Sequence, residues 1–191
     1  GDLAVSPDQR RVAMITTPTN ELISNEGRSR VDIYDTQAEE ITTLEDQLWR
    51  KDAPSPDGWL ESLTWAGHSQ SLAFQVRFGA GAPAVQELTR PNQVMVSPGR
   101  MEWLGDSNAL CFIGEDHARA RAYCITGIKD GGQGPIRVLT PGDVAVKSFN
   151  TSKSGADIAA VLSTVSHPPD VFAATIKPKA DPVLQRLTNS N

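Results

Sequence analysis

Trp65-Ala66-Gly67-His68-Ser69-Gln70-Ser71-Leu72-Ala73-Phe74 returns 38 positions later as Trp103-Leu104-Gly105-Asp106-Ser107-Asn108-Ala109-Leu110-Cys111-Phe112, and the two share W-x-G-x-S-x-x-L-x-F. An echo of this length commits the chain to a repeat architecture, because each repeat is one supersecondary unit that must stack on a neighbour to bury its apolar face. A degenerate copy opens the chain as Val5-Ser6-Pro7-Asp8-Gln9-Arg10-Arg11-Val12-Ala13-Met14. Another, with a longer turn, runs from Phe149-Asn150-Thr151 through Ser154-Gly155-Ala156-Asp157 to Ile158-Ala159-Ala160. The matching aliphatic positions are Val12, Leu72, Leu110 and Ile158, so successive copies lie 60, 38 and 48 residues apart.

Each copy has the same grammar. An apolar strand ends in a turn of Pro, Asp, Gly, Ser or Asn, residues that bend the backbone or bond to it through short side chains. A second apolar strand follows at once, as a hairpin requires. Two more strand-like runs come downstream of each hairpin. They are Arg30–Asp35 with Glu40–Leu44, Ala84–Thr89 with Gln93–Val96, Ala120–Ile125 with Ile136–Thr140, and Val171–Ile176 with Val183–Thr188. Four strands per unit of roughly 40–50 residues is the pattern of a β-propeller blade. The sequence therefore predicts an all-β chain of about four blades of four antiparallel strands each, at about 1–50, 51–98, 99–143 and 144–191. No window of 11 residues holds a helical stripe, and an immunoglobulin-type sandwich would not produce the echo.

Composition narrows the function classes. With 18 Lys+Arg against 23 Asp+Glu the net charge is −5, and there is no basic block, which argues against nucleic acid or anionic lipid as the main partner. No apolar run approaches the roughly 18 residues of a membrane span. Two cysteines and three histidines exclude a thiolate zinc site, and no Gly-rich phosphate loop is present, so no cofactor is expected. Gly1-Asp2-Leu3 opens directly into a strand-like run without the basic and apolar regions of a secretion signal. That reading favours a cytoplasmic over a periplasmic location.

Ser6-Pro7-Asp8-Gln9-Arg10-Arg11-Val12-Ala13 resembles the S-P-D-G-K-x-[IVL]-A turn of TolB-like propellers and of the propeller domain in prolyl-oligopeptidase-family serine peptidases. Val31-Asp32-Ile33-Tyr34-Asp35, followed by Glu40–Leu44, is similar to the third and fourth strands of those blades. In the last unit, Ile158–Ser166 followed by His167-Pro168-Pro169-Asp170-Val171-Phe172 resembles the S-x-x-x-P-x-[ED]-[VL]-[YF] segment of acylaminoacyl- and dipeptidyl-peptidase-like members. Leu184-Gln185-Arg186-Leu187-Thr188-Asn189-Ser190-Asn191 is similar to the x-x-L-T-x-x-N that closes their last blade. The resemblance implies a parent propeller of about seven or eight blades, with a separate α/β-hydrolase domain that carries the catalytic Ser, Asp and His.

Candidate chemistry is weighed residue by residue. Gly67-His68-Ser69-Gln70-Ser71 falls one residue short of the G-x-S-x-G nucleophile elbow, and the run Ser71–Phe78 behind it reads as a strand where an elbow needs a helix. Ser69 is therefore read as a turn residue, and no catalytic, metal or cofactor-binding residue is assigned. His117 and His167 fall in hairpin loops without a second ligand at metal spacing. Glu39-Glu40 differs from the paired acids that hold a peptide amino terminus in dipeptidyl peptidases, because it occupies a turn between strands. Glu115-Asp116 reads as a hairpin turn, and Asn150-Thr151-Ser152 matches a glycosylation sequon placed at a blade turn. Trp65 and Trp103 sit at repeat positions suited to packing between blades, while Trp49 and Trp59 lie outside the echo and suit a rim. Cys111 and Cys124 flank a hairpin centred near residue 117, so they are expected to be cross-strand neighbours, as two buried thiols.

Three functions compete. The resemblance implies a propeller that gates or docks peptide substrate for the α/β-hydrolase domain of a serine peptidase. A TolB-like module that binds protein partners is the alternative. A lyase or glycosidase with its chemistry on the propeller would need converging acids, histidines or a metal set, and no such constellation is visible. If about four blades form an open arc, the outer faces of the first and last stay uncovered, and self-association through residues near 1–50 and 144–191 is expected.

Overall fold

A computed structural model describes residues 2–17, 29–45, 59–77, 95–97, 99–105, 107–128 and 134–189 of the 191. The chain forms two compact units, Gly1–Glu87 and Leu88–Asn191. No helix among the described residues is long and apolar enough to cross a membrane.

The first unit opens with a four-stranded antiparallel sheet in chain order: β1 (Leu3–Val5), β2 (Arg11–Thr16), β3 (Arg30–Asp35) and β4 (Glu40–Thr43). A second sheet pairs β5 (Trp59–Trp65) with β6 (Leu72–Arg77). The third and fourth strands expected for this repeat at Ala84–Thr89 and Gln93–Val94 lie outside the described residues, as does Trp49. Strand alternation puts Ala13, Ile15, Val31 and Ile33 on one side of the first sheet. Val31 and the half-buried Ile15 and Ile33 join Leu60, Val76, Leu72 and Phe74 of the second sheet in one apolar cluster.

The second unit carries two further sheets. In one, β9 (Ala109–Asp116), β10 (Arg119–Thr126) and β11 (Ile136–Val138) form consecutive antiparallel pairs. The free edge of β9 is shared by β7 (Met95–Val96) and β8 (Glu102–Leu104). This corrects one strand of the sequence reading. Met95-Val96 was expected to close the second blade, but it pairs with Gly114 and Glu115 of the third sheet. The final sheet runs β12 (Val144–Thr151), β13 (Asp157–Thr164), β14 (His167–Thr175) and β15 (Gln185–Arg186) in order. Cys111, Ala122, Cys124 and Leu139 of the third sheet pack against Val146, Phe149, Ile158, Ala160 and Leu162 of the fourth.

The spacing of 60, 38 and 48 residues is carried by one turn used four times. The N–H of the fourth turn residue donates to the carbonyl of the first: Gln9 to Ser6 at 2.8 Å, Ser69 to Ala66 at 2.8 Å, Ser107 to Leu104 at 2.7 Å and Gly155 to Ser152 at 2.8 Å. That fourth residue is left-handed in every copy, with φ of 61°, 63°, 61° and 73°. The Ser6 and Ser152 hydroxyls accept the N–H groups of Arg11 and Asp157, at 2.9 and 3.0 Å. Only the last copy uses glycine, the residue that pays no steric cost at positive φ. Gln9 is exposed, so Gln9→Gly is expected to stabilise the first unit by about 0.5–1 kcal/mol, read from urea unfolding.

The cysteine reading is half right. Cys111 and Cys124 are direct cross-strand partners in a hairpin whose register is regular from Asp116–Arg119 down to Ala109–Thr126. They are joined as a disulfide, with Cα atoms 4.0 Å apart, and not left as thiols. The turn between them is His117-Ala118, both left-handed at φ 48° and 60° as a two-residue type I′ turn requires. Glu115-Asp116 accordingly ends β9, two residues before the position expected for the turn. Counting from that turn, hydrogen-bonded and non-hydrogen-bonded pairs alternate, and Cys111–Cys124 falls on a non-hydrogen-bonded pair, where side chains approach most closely.

Two buried carboxylates hold the third strand to its neighbours. Asp32 accepts hydrogen bonds from the Thr16 and Thr43 hydroxyls, both at 2.6 Å, and from Arg30 Nε at 3.1 Å. Asp170 accepts from Thr188 Oγ1 and Arg186 Nε, both at 2.8 Å. Burial by itself pushes the Asp32 carboxyl up, but the two threonine hydroxyls and the Arg30 charge outweigh it and hold it below its usual value. A depressed native pKa adds stability above the ordinary carboxylate value and loses it as pH falls through the native one. Acid unfolding below about pH 4 is therefore expected to be steeper for the natural chain than for Asp32→Asn, followed by circular dichroism.

Candidate functional site

Ser69 is buried at 4% exposure in its left-handed turn, and its hydroxyl accepts the Asp8 N–H at 3.0 Å. The Arg11 guanidinium lies 5.1 Å from the Trp65 ring centroid and donates to the Ser69 carbonyl. The His68 Nδ1 accepts the Gln70 N–H at 3.1 Å, inside its own turn. His117 contacts Asp116 and His167 contacts Ser166 at exposed hairpin ends. Among the described residues no group of three His, Cys, Asp or Glu is placed to hold a metal. Glu39 is a left-handed turn residue at φ 56° and Glu40 starts β4, as the sequence indicates.

The features that stand out are two sheet faces. The strand residue seven positions after the turn start is small in all four repeats: Ala13, Ala73, Cys111 and Ala159. This side of each sheet is called the back face here, and the side bearing Val12, Leu72, Leu110 and Ile158 the front face. In both units the back face of one sheet meets the front face of the next. Ala13 and Cys111 are accordingly 0% exposed, and Ile158 is 1% exposed.

The contacts at these seams share one layout. Two residues before the turn start, the Ala4 carbonyl accepts from Trp65 Nε1 at 3.0 Å. At the matching place Glu102 Oε2 accepts the Thr151 N–H at 2.8 Å and the Thr151 hydroxyl at 3.0 Å. Trp65 and Thr151 are themselves equivalent, each standing one residue before its own turn. The packing role expected for Trp65 is thus met. Of Trp59 only the backbone is described.

Among the described residues, the first sheet's front face and the last sheet's back face have no such cover within their own units. On the former, Leu3, Val5 and Ile41 are 65%, 54% and 63% exposed. On the latter, Ala159 is exposed, Val161, Val171 and Ala173 are half-buried, and Leu187 is 58% exposed. A groove of about 440 Å³ in the last sheet is lined by Asp157, Ala173, Thr175, Lys177, Asp181 and Gln185. Contiguous exposed apolar patches mark contact surfaces. Sequence reasoning pointed to the terminal blades but could not say which side of each, because side assignment needs the strand register.

Set against known proteins, the chain matches no family model and no curated protein sequence. Solved structures do match. TolB from Acinetobacter baumannii superposes with a TM-score of 0.57 at 13% identity, over 97% of this chain and 42% of that one. A putative dipeptidyl aminopeptidase IV from Bacteroides ovatus gives 0.57 at 12% identity, over 92% and 32%. A prolyl endopeptidase gives 0.56 at 15% identity, over 100% and 29%. The fold is that of a β-propeller. The chain spans less than half the length of each of these proteins, and at such identities the likeness establishes the architecture alone. Among the described residues, the first and last sheets are each four-stranded and antiparallel in chain order.

Proposed function

We infer that this chain is the non-catalytic propeller portion of a serine peptidase of the prolyl-oligopeptidase kind, which docks or gates peptide substrate for a separate α/β-hydrolase domain. The observation that carries the reading is the pairing of propeller blades like those of peptidases with a near-elbow serine spent on a structural bond, Ser69 Oγ to the Asp8 N–H. Catalysis by serine needs an exposed nucleophile, a base within hydrogen-bond reach and a group that orients the base. The peptide-like partner and the hydrolase domain are parts of this proposal.

Turnover of aminoacyl-nitroanilides and short-chain esters by the 191-residue chain tests it. No hydrolysis is expected, and hydrolysis that Ser69→Ala abolishes would overturn it. The coding sequence after Asn191 decides between this and the second reading. A G-x-S-x-G in an α/β-hydrolase pattern supports the peptidase. A stop codon or further blades supports a TolB-like module that binds protein partners, a reading favoured by the exposed Leu3, Val5 and Ile41 on the first sheet.

A further inference from the structure

In three of the four repeats the first strand breaks its register at the same place. Between Glu61 and Thr64 of β5 the pairing with β6 slips by one residue, and Ser62 there is left-handed at φ 61°. Between Val146 and Ser148 of β12 the pairing with β13 slips by one residue, at Lys147. In the third sheet the slip is larger. From Val96 to Glu102 six positions of chain are set against three of β9, which is why the first strand there is two pieces, β7 and β8. Ser62 and Arg100 stand four residues before the start of their turns, and Lys147 five. A bulge interrupts the ladder and re-aims a side chain, and bulges gather beside functional sites.

The first strands also tie neighbouring sheets together, Ala4 to Trp65 in the first unit and Glu102 to Thr151 in the second. In a propeller they line the central channel. In the second unit the interrupted stretches carry cations. Arg100 is 68% exposed, and its Nε lies 2.8 Å from Glu102 Oε1. The other oxygen of Glu102 accepts the Thr151 N–H and hydroxyl, so a buried carboxylate fixes the stem of Arg100 against the next blade. A guanidinium has five N–H donors in a planar fork, and engaging Nε leaves the two terminal amino groups for a ligand. Arg186, by contrast, sets both Nε and a terminal amino group on Asp170. Lys147 is exposed on the adjoining first strand.

We propose that these two bulges receive a peptide carboxylate, with Arg100 holding both carboxylate oxygens and Lys147 adding positive charge from the neighbouring blade. The proposal deepens the docking role inferred above and rests on it. Planar, bidentate recognition of a carboxylate is what the outer edge of a guanidinium supplies, and a neutral amide forgoes the charge. Glu102 and Thr151 are positioning residues here, since they hold Arg100 in place before any ligand arrives.

Chemical-shift titration of the isotope-labelled 191-residue chain gives the test. The probes are N-acetyl-tetra-alanine as the free acid, the same peptide as its amide, and that amide with one alanine replaced by glutamate. A carboxylate-bearing probe is expected to bind about tenfold more tightly than the plain amide, with shifts at residues 99–104 and 146–149. The free acid and the glutamate peptide separate a chain terminus from a side chain as the source of the carboxylate. Arg100→Gln is expected to abolish the preference, and Arg100→Lys to keep part of it, because the charge stays and the fork goes. Lys147→Gln is expected to weaken binding by about twofold. Both side chains are exposed, so an unchanged circular dichroism spectrum separates lost binding from lost folding. Arg100→Lys retains the charge beside Glu102 and carries the test if Arg100→Gln does not fold. Equal binding of all three peptides overturns the carboxylate site and leaves the docking role standing. A preference undiminished in the folded Arg100 variants overturns the assignment to the bulges. Binding of none of the peptides removes both the site and the docking role.

Discussion

Gly105→Ala is expected to destabilise the second unit by about 2–4 kcal/mol, because the added methyl has nowhere to go. A Cβ on Gly105 would lie 2.5 Å from the Ser154 carbonyl oxygen and 2.9 Å from its carbon. Both are backbone atoms of the neighbouring blade's turn, held by the Ser152–Gly155 and Ser152–Asp157 hydrogen bonds, so no rotamer change relieves the clash. The turns of the third and fourth blades must part, and with them the Leu104–Gly155 contact at the same place. Gly142→Ala is the control, since that position has nothing within 4 Å and only its φ of 102° opposes a side chain. Guanidinium unfolding should show a markedly larger loss for Gly105→Ala than for Gly142→Ala. Equal losses would mean that the turns of adjacent blades do not touch.

Opening the Cys111–Cys124 bond is expected to cost the second unit about 2–4 kcal/mol, the usual value for closing a loop of this size. The two residues are 13 apart in sequence and are 0% and 2% exposed, inside the cluster shared by the third and fourth blades. The bond removes freedom from the unfolded chain, and reduction adds two thiol hydrogens to a packed seam. Cys111→Ala with Cys124→Ala avoids burying hydroxyls and is the cleaner variant. Unfolding of the natural chain with and without dithiothreitol should differ by this amount, while the double variant should not respond. Two cysteines alkylated in the unreduced folded protein would contradict the bond. Disulfides persist mainly in oxidising compartments, so the same measurement bears on where the protein folds.

The repeat was legible because turn and strand positions recur as letters. Val12, Leu72, Leu110 and Ile158 are spaced in the sequence as they are in the structure, and the hairpins they start were placed within a residue or two. The pairing of Met95-Val96 was not legible. A two-residue apolar run reads equally as the end of one blade or the start of the next, and tertiary pairing decides. The register of the Cys111 hairpin was predictable from its two-residue turn, but bond formation is redox chemistry and leaves no periodic trace. Asp32 and Asp170 were missed as structural anchors. Each sits in a D-[IV]-[YF] run that looks like an ordinary strand, and the threonines that bond them, Thr43 of β4 and Thr188 just past β15, are brought beside them only in three dimensions. The candidate surface was half visible, as terminal blades without a side.

Among the described residues, no backbone ladder runs from one of the four sheets into another. Within each unit the two sheets meet through side chains, a pair of turns and one acceptor position. A gene that gains or loses a whole repeat therefore breaks one seam and forms another of the same kind, without disturbing any strand register. Insertion of half a repeat strands a sheet edge and a face together. Length change in such a lineage should therefore proceed by whole blades.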